Sequence, residues 1–545
     1  MSNGWRGPDG QATSDVPGRF VRGAGKLARR YAAFLVGVLI LVIVLLFIPA
    51  VSTRAPTQGS AYSPSSLPPG ITAPAQPGSP GTAVSGVRCA PGVRQVPWSH
   101  YAPICEPAWT GNNGASTSPG VTAKTITITY RQAASSTLQL LYSLVPKSVI
   151  GTNAEVLRAM QAYVKLFNKE FELYGRKVVL KSFPAQGDFV NELNGGGASA
   201  AQADAVTAHS LGAFADVSII DSTPIYDQAL ASQHIISFSP YSSTRKQLAQ
   251  FAPYQYSFAP DCERSAAGTA AVIGKEMAGM PAIFAGDAAM RHKKRVFGVL
   301  YPSIPSNTYC TQLMDQILQK KYGVKLAKVI SYSLNLSQAS SQAATIVSEF
   351  KAAGVTTVIC ATCDFVTPIF LTSAANIAHY HPEWIANYFM DAFSRLPNQA
   401  QWSHAVALGM QEPPATTQEG YKAFFKADPT GKIVPSFPFV YESMLLLFDG
   451  LQAAGPDLTP QTFAAGVASL PPSTPGGMFG AWRFGKGIYD PSANFRVVWW
   501  NPNAISGLDG RKGAWLNCNA GKSYSFYKAA ASLPAHTQLR CFGAS

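Results

Sequence analysis

RVFGVLYPSIPSNTYCTQLMDQILQKKYGVKLAKVISYS, residues 295–333, contains one complete structural unit. RVFGVLY, residues 295–301, is a short apolar run of the kind that becomes a buried strand. Residues 309–321 carry a helical pattern, and AKVISYS, residues 327–333, is a second strand. Strand, helix and strand in that order form a βαβ unit, and βαβ units build a parallel sheet.

The same alternation continues on both sides. Towards the N-terminus the order is TITITY at 125–130, a helix over 153–173, KVVLKSF, a helix near 199–210, GAFADVSII, HIISFSP at 234–240 and a helix over 262–278. Towards the C-terminus a helix over 340–352 precedes VTTVIC, a helix over 367–379 and WIANYFM at 384–390. No internal repeat of solenoid length is present. The expected fold class is α/β.

Composition narrows what such a chain does. Of 545 residues 47% are apolar and 13% charged, against roughly 25% charged in ordinary soluble domains, so disorder throughout is excluded. The net charge is +14, and Arg6, Arg19, Arg22, Lys26, Arg29 and Arg30 all precede the hydrophobic segment that starts at Tyr31. The one other dense run, RHKKR at 291–295, reads as a solvated face. No nucleic-acid motif accompanies it, so no nucleic-acid partner is expected.

Tyr31–Val51, YAAFLVGVLILVIVLLFIPAV, has no charge and is long enough to cross a hydrocarbon layer of about 30 Å as a helix. The basic residues before it place residues 1–30 in the cytoplasm and everything after residue 51 outside. An uncleaved transmembrane anchor is the expectation, with cleavage near Ala50-Val51-Ser52 as the alternative. Residues 52–85, dominated by Pro, Ser, Gly, Thr and Ala, read as a disordered linker.

Eight cysteines follow the anchor, an even number that suits oxidised pairs outside the cytoplasm. Many pairings are open. Pairing between sequence neighbours closes short loops and gives Cys89–Cys105, Cys262–Cys310, Cys360–Cys363 and Cys518–Cys541. Cys360-Ala-Thr-Cys363 follows a strand and precedes a helix, where a redox thiol would sit, but no thioredoxin-like domain surrounds it. A tetrathiolate zinc site would need a second CxxC, so neither metal nor cofactor is expected.

In order and wording these segments resemble type I periplasmic solute-binding proteins, the receptors of branched-chain amino acid and amide ABC transporters. GVTAKTITITY is similar to the opening strand of that family, and YQYSFAPDCERSAAGTAAVI to its first crossover and helix. RVFGVLYPSIPSNTYCTQLMDQI is similar to the start of its second lobe, and EGYKAFF with FVYESMLLLFDGLQAAG to its C-terminal helices. RCAPGVRQVPWSHYAPICEP resembles the Cys-bounded preamble of membrane-anchored actinobacterial members. The resemblance implies two parallel-sheet, Rossmann-like lobes joined by a three-segment hinge, with ligand held between them. It divides the chain into a preamble at 86–119, a two-lobed module at 120–501 and an extension at 502–545 pinned by Cys518–Cys541. Lobe 1 is expected over about 120–257 and 391–480, and lobe 2 over about 258–390 and 481–501.

Ligand residues follow from the resemblance and from the ends of strands. Ser222 and Thr223 lie in the loop that supplies hydroxyl and N–H contacts to a ligand carboxylate in the family, although they also suit capping of the helix that Pro224 starts. Ser237, Ser239 and Tyr241 match its second hydroxyl-bearing loop, and Tyr309 its tyrosine-glycine loop, with Cys310 in place of the glycine. Asp364 and Asp391 each follow a strand, where a carboxylate can pair with a ligand ammonium. Arg131 departs from the family's neutral loop and would either meet an acidic ligand or reach solvent; Tyr301 reads as ligand contact or core, and Glu442 as hinge or packing contact.

No GxSxG elbow, HExxH helix, Walker loop or GxGxxG fingerprint is present, so binding rather than catalysis is expected. The reading is an extracytoplasmic receptor for an amino-acid-like or amide-like solute, partnered by an ABC permease. The alternative is a membrane-anchored sensor or surface-interaction protein that keeps the fold.

Overall fold

The computed structural model describes residues 67–545 apart from 145, 220, 410–415, 435, 535–537 and 542–545. Tyr31–Val51 and most of the linker therefore lie outside the described residues. Among the described residues no helix is long and apolar enough to cross a membrane.

The chain opens with a ribbon of β1 (Gly81–Thr82) and β2 (Arg88–Cys89) closed by the Cys89–Cys105 disulfide. A parallel sheet follows, built from β3 (Thr125–Gln132), β4 (Lys177–Pro184), β5 (Ala215–Asp216), β6 (Ile236–Ser239) and β7 (Gln255–Ser257), in the order β4-β3-β5-β6-β7. The second sheet takes β8 (Phe297–Pro302), β9 (Lys328–Tyr332), β10 (Thr357–Cys360), β11 (Glu383–Ala386), β12 (Ala405–Gly409), β13 (Asn494–Ile505) and β14 (Lys512–Asn517). Its order is β14-β13-β12-β11-β10-β8-β9, with β15 (Tyr524–Ser525) on β13. β8 to β12 are parallel, while β13 and β14 run antiparallel at one side.

Period-two alternation buries both faces of the second sheet. Val358, Trp384 and Ala405 point into one apolar cluster, whereas Ile359, Ile385 and Val406 point into another. A sheet covered on both faces needs near-continuous apolar strands, which is why VTTVIC and RVFGVLY carry so little polarity. In the first lobe the helix Asn153–Glu170 starts at a capping box formed by Thr152 and Glu155, and its inner face, including Met160, Tyr163 and Phe167, packs on the helix Phe437–Ala454.

Several expected boundaries move. β12 belongs to the second sheet, so residues 391–409 are part of lobe 2 and not of lobe 1. The helices Glu419–Ala427, Phe437–Ala454 and Pro460–Ser469 then return to the lobe 1 core. β13 runs past residue 501 and β14 pairs with it, so the extension begins as the edge of the sheet; its remainder, tied by Cys518–Cys541, packs Phe526, Leu533 and Leu539 on lobe 2. The preamble is no separate domain either, because Val96, Tyr101 and Ala102 are buried in the lobe 1 core. Residues 67–85, expected as disordered linker, are held by main-chain bonds such as Thr72 N–H to Asn112 O at 2.9 Å and Gly78 N–H to Cys105 O at 2.7 Å. Polar composition does not preclude order where backbone groups find partners.

The remaining disulfides are Cys262–Cys310 and Cys360–Cys363. The chain passes between lobes after β7, after β12 and before β13. The first and third passages are tied together: the Asp261 N–H donates to Asp490, Ser492 Oγ donates to Phe258 O at 2.6 Å, and Arg264 pairs with both Asp261 and Asp490. In RHKKR, Arg295 is buried against Glu383 at 2.7 Å, and only the four residues before it form the solvated face.

Candidate functional site

In open parallel sheets the segments after the carboxyl ends of strands form the crevice where ligands bind. The helix Ser135–Leu144 follows β3, the helix Phe189–Leu193 follows β4, residues 303–304 follow β8, and residues 333–337 follow β9. Together these four segments line an open crevice of about 520 Å³ between the lobes, in which Asn194, Ser303, Ser333, Asn335 and Ser337 are exposed. Leu140 and Val190 line it from lobe 1, and Ile304, Leu334 and Leu336 from lobe 2; the other lining residues are serines and asparagines.

A buried ion cluster supports the lobe 1 wall. Arg131 has no exposure and pairs with Glu192 at 2.9 Å, Asp221 at 3.1 Å and Asp204 at 3.3 Å, with its guanidinium 3.7 Å from the centre of the Tyr226 ring. These partners come from the segments after β4 and β5, so one cation at the end of β3 ties two neighbouring connections. Asp204 also accepts from the N–H groups of Gln186 and Gly187 at 2.8 and 2.9 Å, which sets the turn leading to Val190. Gly187 packs against Glu192, and a Cβ there would collide with that carboxylate. Burial pushes Asp221 up to about 7, against the opposing pull of Arg131. Arg131 therefore meets neither ligand nor solvent, because protein carboxylates surround it.

The expected hydroxyl loops are committed inward as well. Ser222 Oγ lies 2.9 Å from both carboxylate oxygens of Asp227, with Ser239 and Ser237 beside the same carboxylate, whose pKa burial raises to about 7. Thr223 caps the helix Pro224–Ser232 and its hydroxyl donates to Glu192. All four side chains are buried. Capping and internal bonding occupy the Ser222 and Thr223 hydroxyls, whereas the buried Ser237 hydroxyl has no hydrogen-bond partner among the described residues. Tyr241 differs: it is half-buried, and its hydroxyl is pushed up by burial and by Asp221, Asp227 and Asp364, the last from lobe 2.

No family model and no curated protein matches the chain. Solved structures do. A fatty acid ABC transporter substrate-binding protein from Thermomonospora curvata aligns with a TM-score of 0.54 at 13% identity, over 79% of this chain and 100% of that one. The chain has the type I periplasmic binding fold. A leucine-, isoleucine-, valine-, threonine- and alanine-binding protein from Brucella ovis in its closed conformation gives 0.51 at 13% identity, over 77% and 98% of the two chains. An ABC transporter solute-binding protein from R. palustris in complex with 4-hydroxybenzoate gives 0.50 at 11%, over 74% and 97%.

In lobe 2, Asp364 and Asp391 are held by the protein's own groups, whereas Tyr309 is exposed. Asp364 accepts from Thr367 Oγ1 at 2.6 Å, Tyr332 Oη at 2.7 Å, and the N–H groups of Val366 and Thr367 at 2.7 and 2.8 Å. It closes the turn into the helix Thr367–Ile377 and is not a bare partner for an ammonium. Asp391 accepts from the Trp515 N–H at 3.2 Å beside Ser506, so it is tied to the β13–β14 hairpin; burial raises it to about 6. Tyr309 lies on the helix Pro305–Tyr322, not in a loop, and is 48% exposed. Tyr301 is half-buried in β8. Glu442 accepts from the Met478 and Phe479 N–H groups in the third passage between lobes.

An apolar contact between the lobes escaped the sequence reading. Leu141, Tyr142 and Ile150 from lobe 1 cluster with Phe365, Phe393 and Leu396 from lobe 2, next to Asp364. Its signal was LQLLY at 138–142, an apolar helical segment directly after a strand.

Proposed function

We propose that this chain is a membrane-tethered extracytoplasmic receptor that traps a small solute between its lobes and presents it to an ABC importer. The observation that carries the proposal is the open crevice of about 520 Å³ at the carboxyl ends of both parallel sheets, a size within the ~300–1,000 Å³ usual for small-ligand sites. The fold shared with ABC transporter substrate-binding proteins supports it. Tyr31–Val51 supports the tether, since the positive-inside rule exports everything that follows. Binding rather than catalysis suits the lining, which among the described residues is Leu, Val, Ile, Ser and Asn.

The test is thermal unfolding of the full-length protein with amino acids, amides, aromatic acids and aliphatic lipids. A ligand at a hundredfold excess over its dissociation constant stabilises the native state by about 2.7 kcal/mol. A dose-dependent rise with one class establishes the receptor. A flat response across all classes rejects solute binding and leaves a sensor or surface-interaction protein that retained the fold.

A further inference from the structure

We propose that the crevice selects an uncharged, largely apolar solute, with a hydrocarbon body and hydroxyl or amide groups, over zwitterionic amino acids. This rests on the receptor reading and specifies its ligand class.

The first argument is the lining. Leu140, Val190, Ile304, Leu334 and Leu336 supply apolar surface from both lobes, and every other lining side chain is a serine or asparagine. Among the described residues no Asp, Glu, Lys, Arg or His lines it. A desolvated ammonium or carboxylate without a countercharge is strongly disfavoured, whereas apolar surface leaving water is favoured at about 25 cal/mol per Å².

The second argument is that neighbouring charges are saturated by the protein. Arg131 is surrounded by Glu192, Asp204 and Asp221. Asp364 accepts four hydrogen bonds from its own lobe. Asp188, which caps the helix bearing Val190, accepts from Ser136, Thr137 and the Asn191 N–H. Recruiting any of them for a zwitterion would strip an existing partner. The apolar contact of Leu141 and Tyr142 with Phe365 and Phe393 extends the hydrophobic character alongside the crevice.

The experiment titrates the full-length protein with 1-decanol, decanamide, decanoate and leucine by calorimetry and thermal shift. The expected result is saturable binding of decanol and decanamide, with decanoate and leucine at least tenfold weaker. Leu140→Asp and Leu336→Asp, both half-buried positions on opposite walls, are expected to weaken decanol at least tenfold while the unliganded melting temperature holds. Leu140→Ala and Leu336→Ala provide milder variants should an Asp variant misfold, with a smaller loss in the same direction. Leucine binding as tightly as decanol overturns the proposal and leaves the receptor reading intact. Decanol binding that all four variants leave unchanged overturns it too, by placing the apolar site elsewhere. No binding by any probe rejects this ligand class, and the wider panel above then decides the receptor reading separately.

Discussion

Replacing Arg131 by Met tests whether this arginine serves the fold or a ligand. The substitution keeps an unbranched apolar stem but removes the one cation shared by Glu192, Asp204 and Asp221, all buried. Deleting one partner of a buried ion pair costs about 3–5 kcal/mol, because the charges left behind have neither water nor a countercharge. A lobe of about 250 residues unfolds with an entropy near 0.5 kcal/mol/K, so the melting temperature of lobe 1 should fall by about 6–10 °C. Differential scanning calorimetry at pH 7.5 measures this directly. The penalty should shrink on acidification, since protonated carboxylates no longer repel, and adding Asp221→Asn should restore part of the loss. A variant that melts within 1 °C of the parent yet loses ligand would refute the structural assignment and return Arg131 to the binding site.

Two further outcomes follow from buried groups. Burial raises Glu106 to about 8, Asp221 and Asp227 to about 7, and Asp391 to about 6, from ordinary values of 3.8 to 4.5. The folded chain therefore holds protons that the unfolded chain releases above about pH 4, so this contribution is complete in acid and is lost as pH rises through 6 to 8. Each such proton contributes a slope of up to about 1.4 kcal/mol per pH unit, and a melting temperature that climbs steadily from pH 5 to 8 would contradict it. Leu141→Asp puts a charge into the contact between lobes without entering either main core. Small-angle scattering should show a larger radius of gyration with little change in melting temperature; an unchanged radius would show that this contact does not hold the lobes together.

The architecture was legible where physics acts locally. Parallel strands buried on both faces must be short apolar runs, and Thr152 with Glu155 marks a helix start within four residues. β12, AVALG, escaped because five small apolar residues carry no period that separates strand from helix, and the lobe boundary moved with it. The crevice escaped for another reason. Its walls are neutral loop residues such as those at 333–337, brought together from four segments by the topology, and no spacing in the chain marks them. Serines and aspartates at strand ends drew attention instead, yet capping and ligand contact call for the same residue types in the same places. Ser222 and Asp364 show that only the partner distinguishes the two roles.

Arginine was the least legible residue type, and it explains much of the remaining organisation. Arg131, Arg264 and Arg295 are all buried and all join segments distant in sequence: Arg131 to Glu192, Asp204 and Asp221, Arg264 to Asp490, and Arg295 to Glu383. Each sits at or near the end of a structural element: Arg131 at the penultimate position of β3, Arg264 at the start of the helix Cys262–Val272, and Arg295 just before β8. Burying such pairs adds little net stability, since desolvation offsets much of the attraction, but a mispaired register would strand a charge in the interior. The pairs hold segments in register: the lobe 1 wall of the crevice for Arg131, the linked passages between lobes for Arg264, and the N-terminal ends of the interior strands β8, β10 and β11 for Arg295. None of the charges in these three clusters is among the residues that line the cleft.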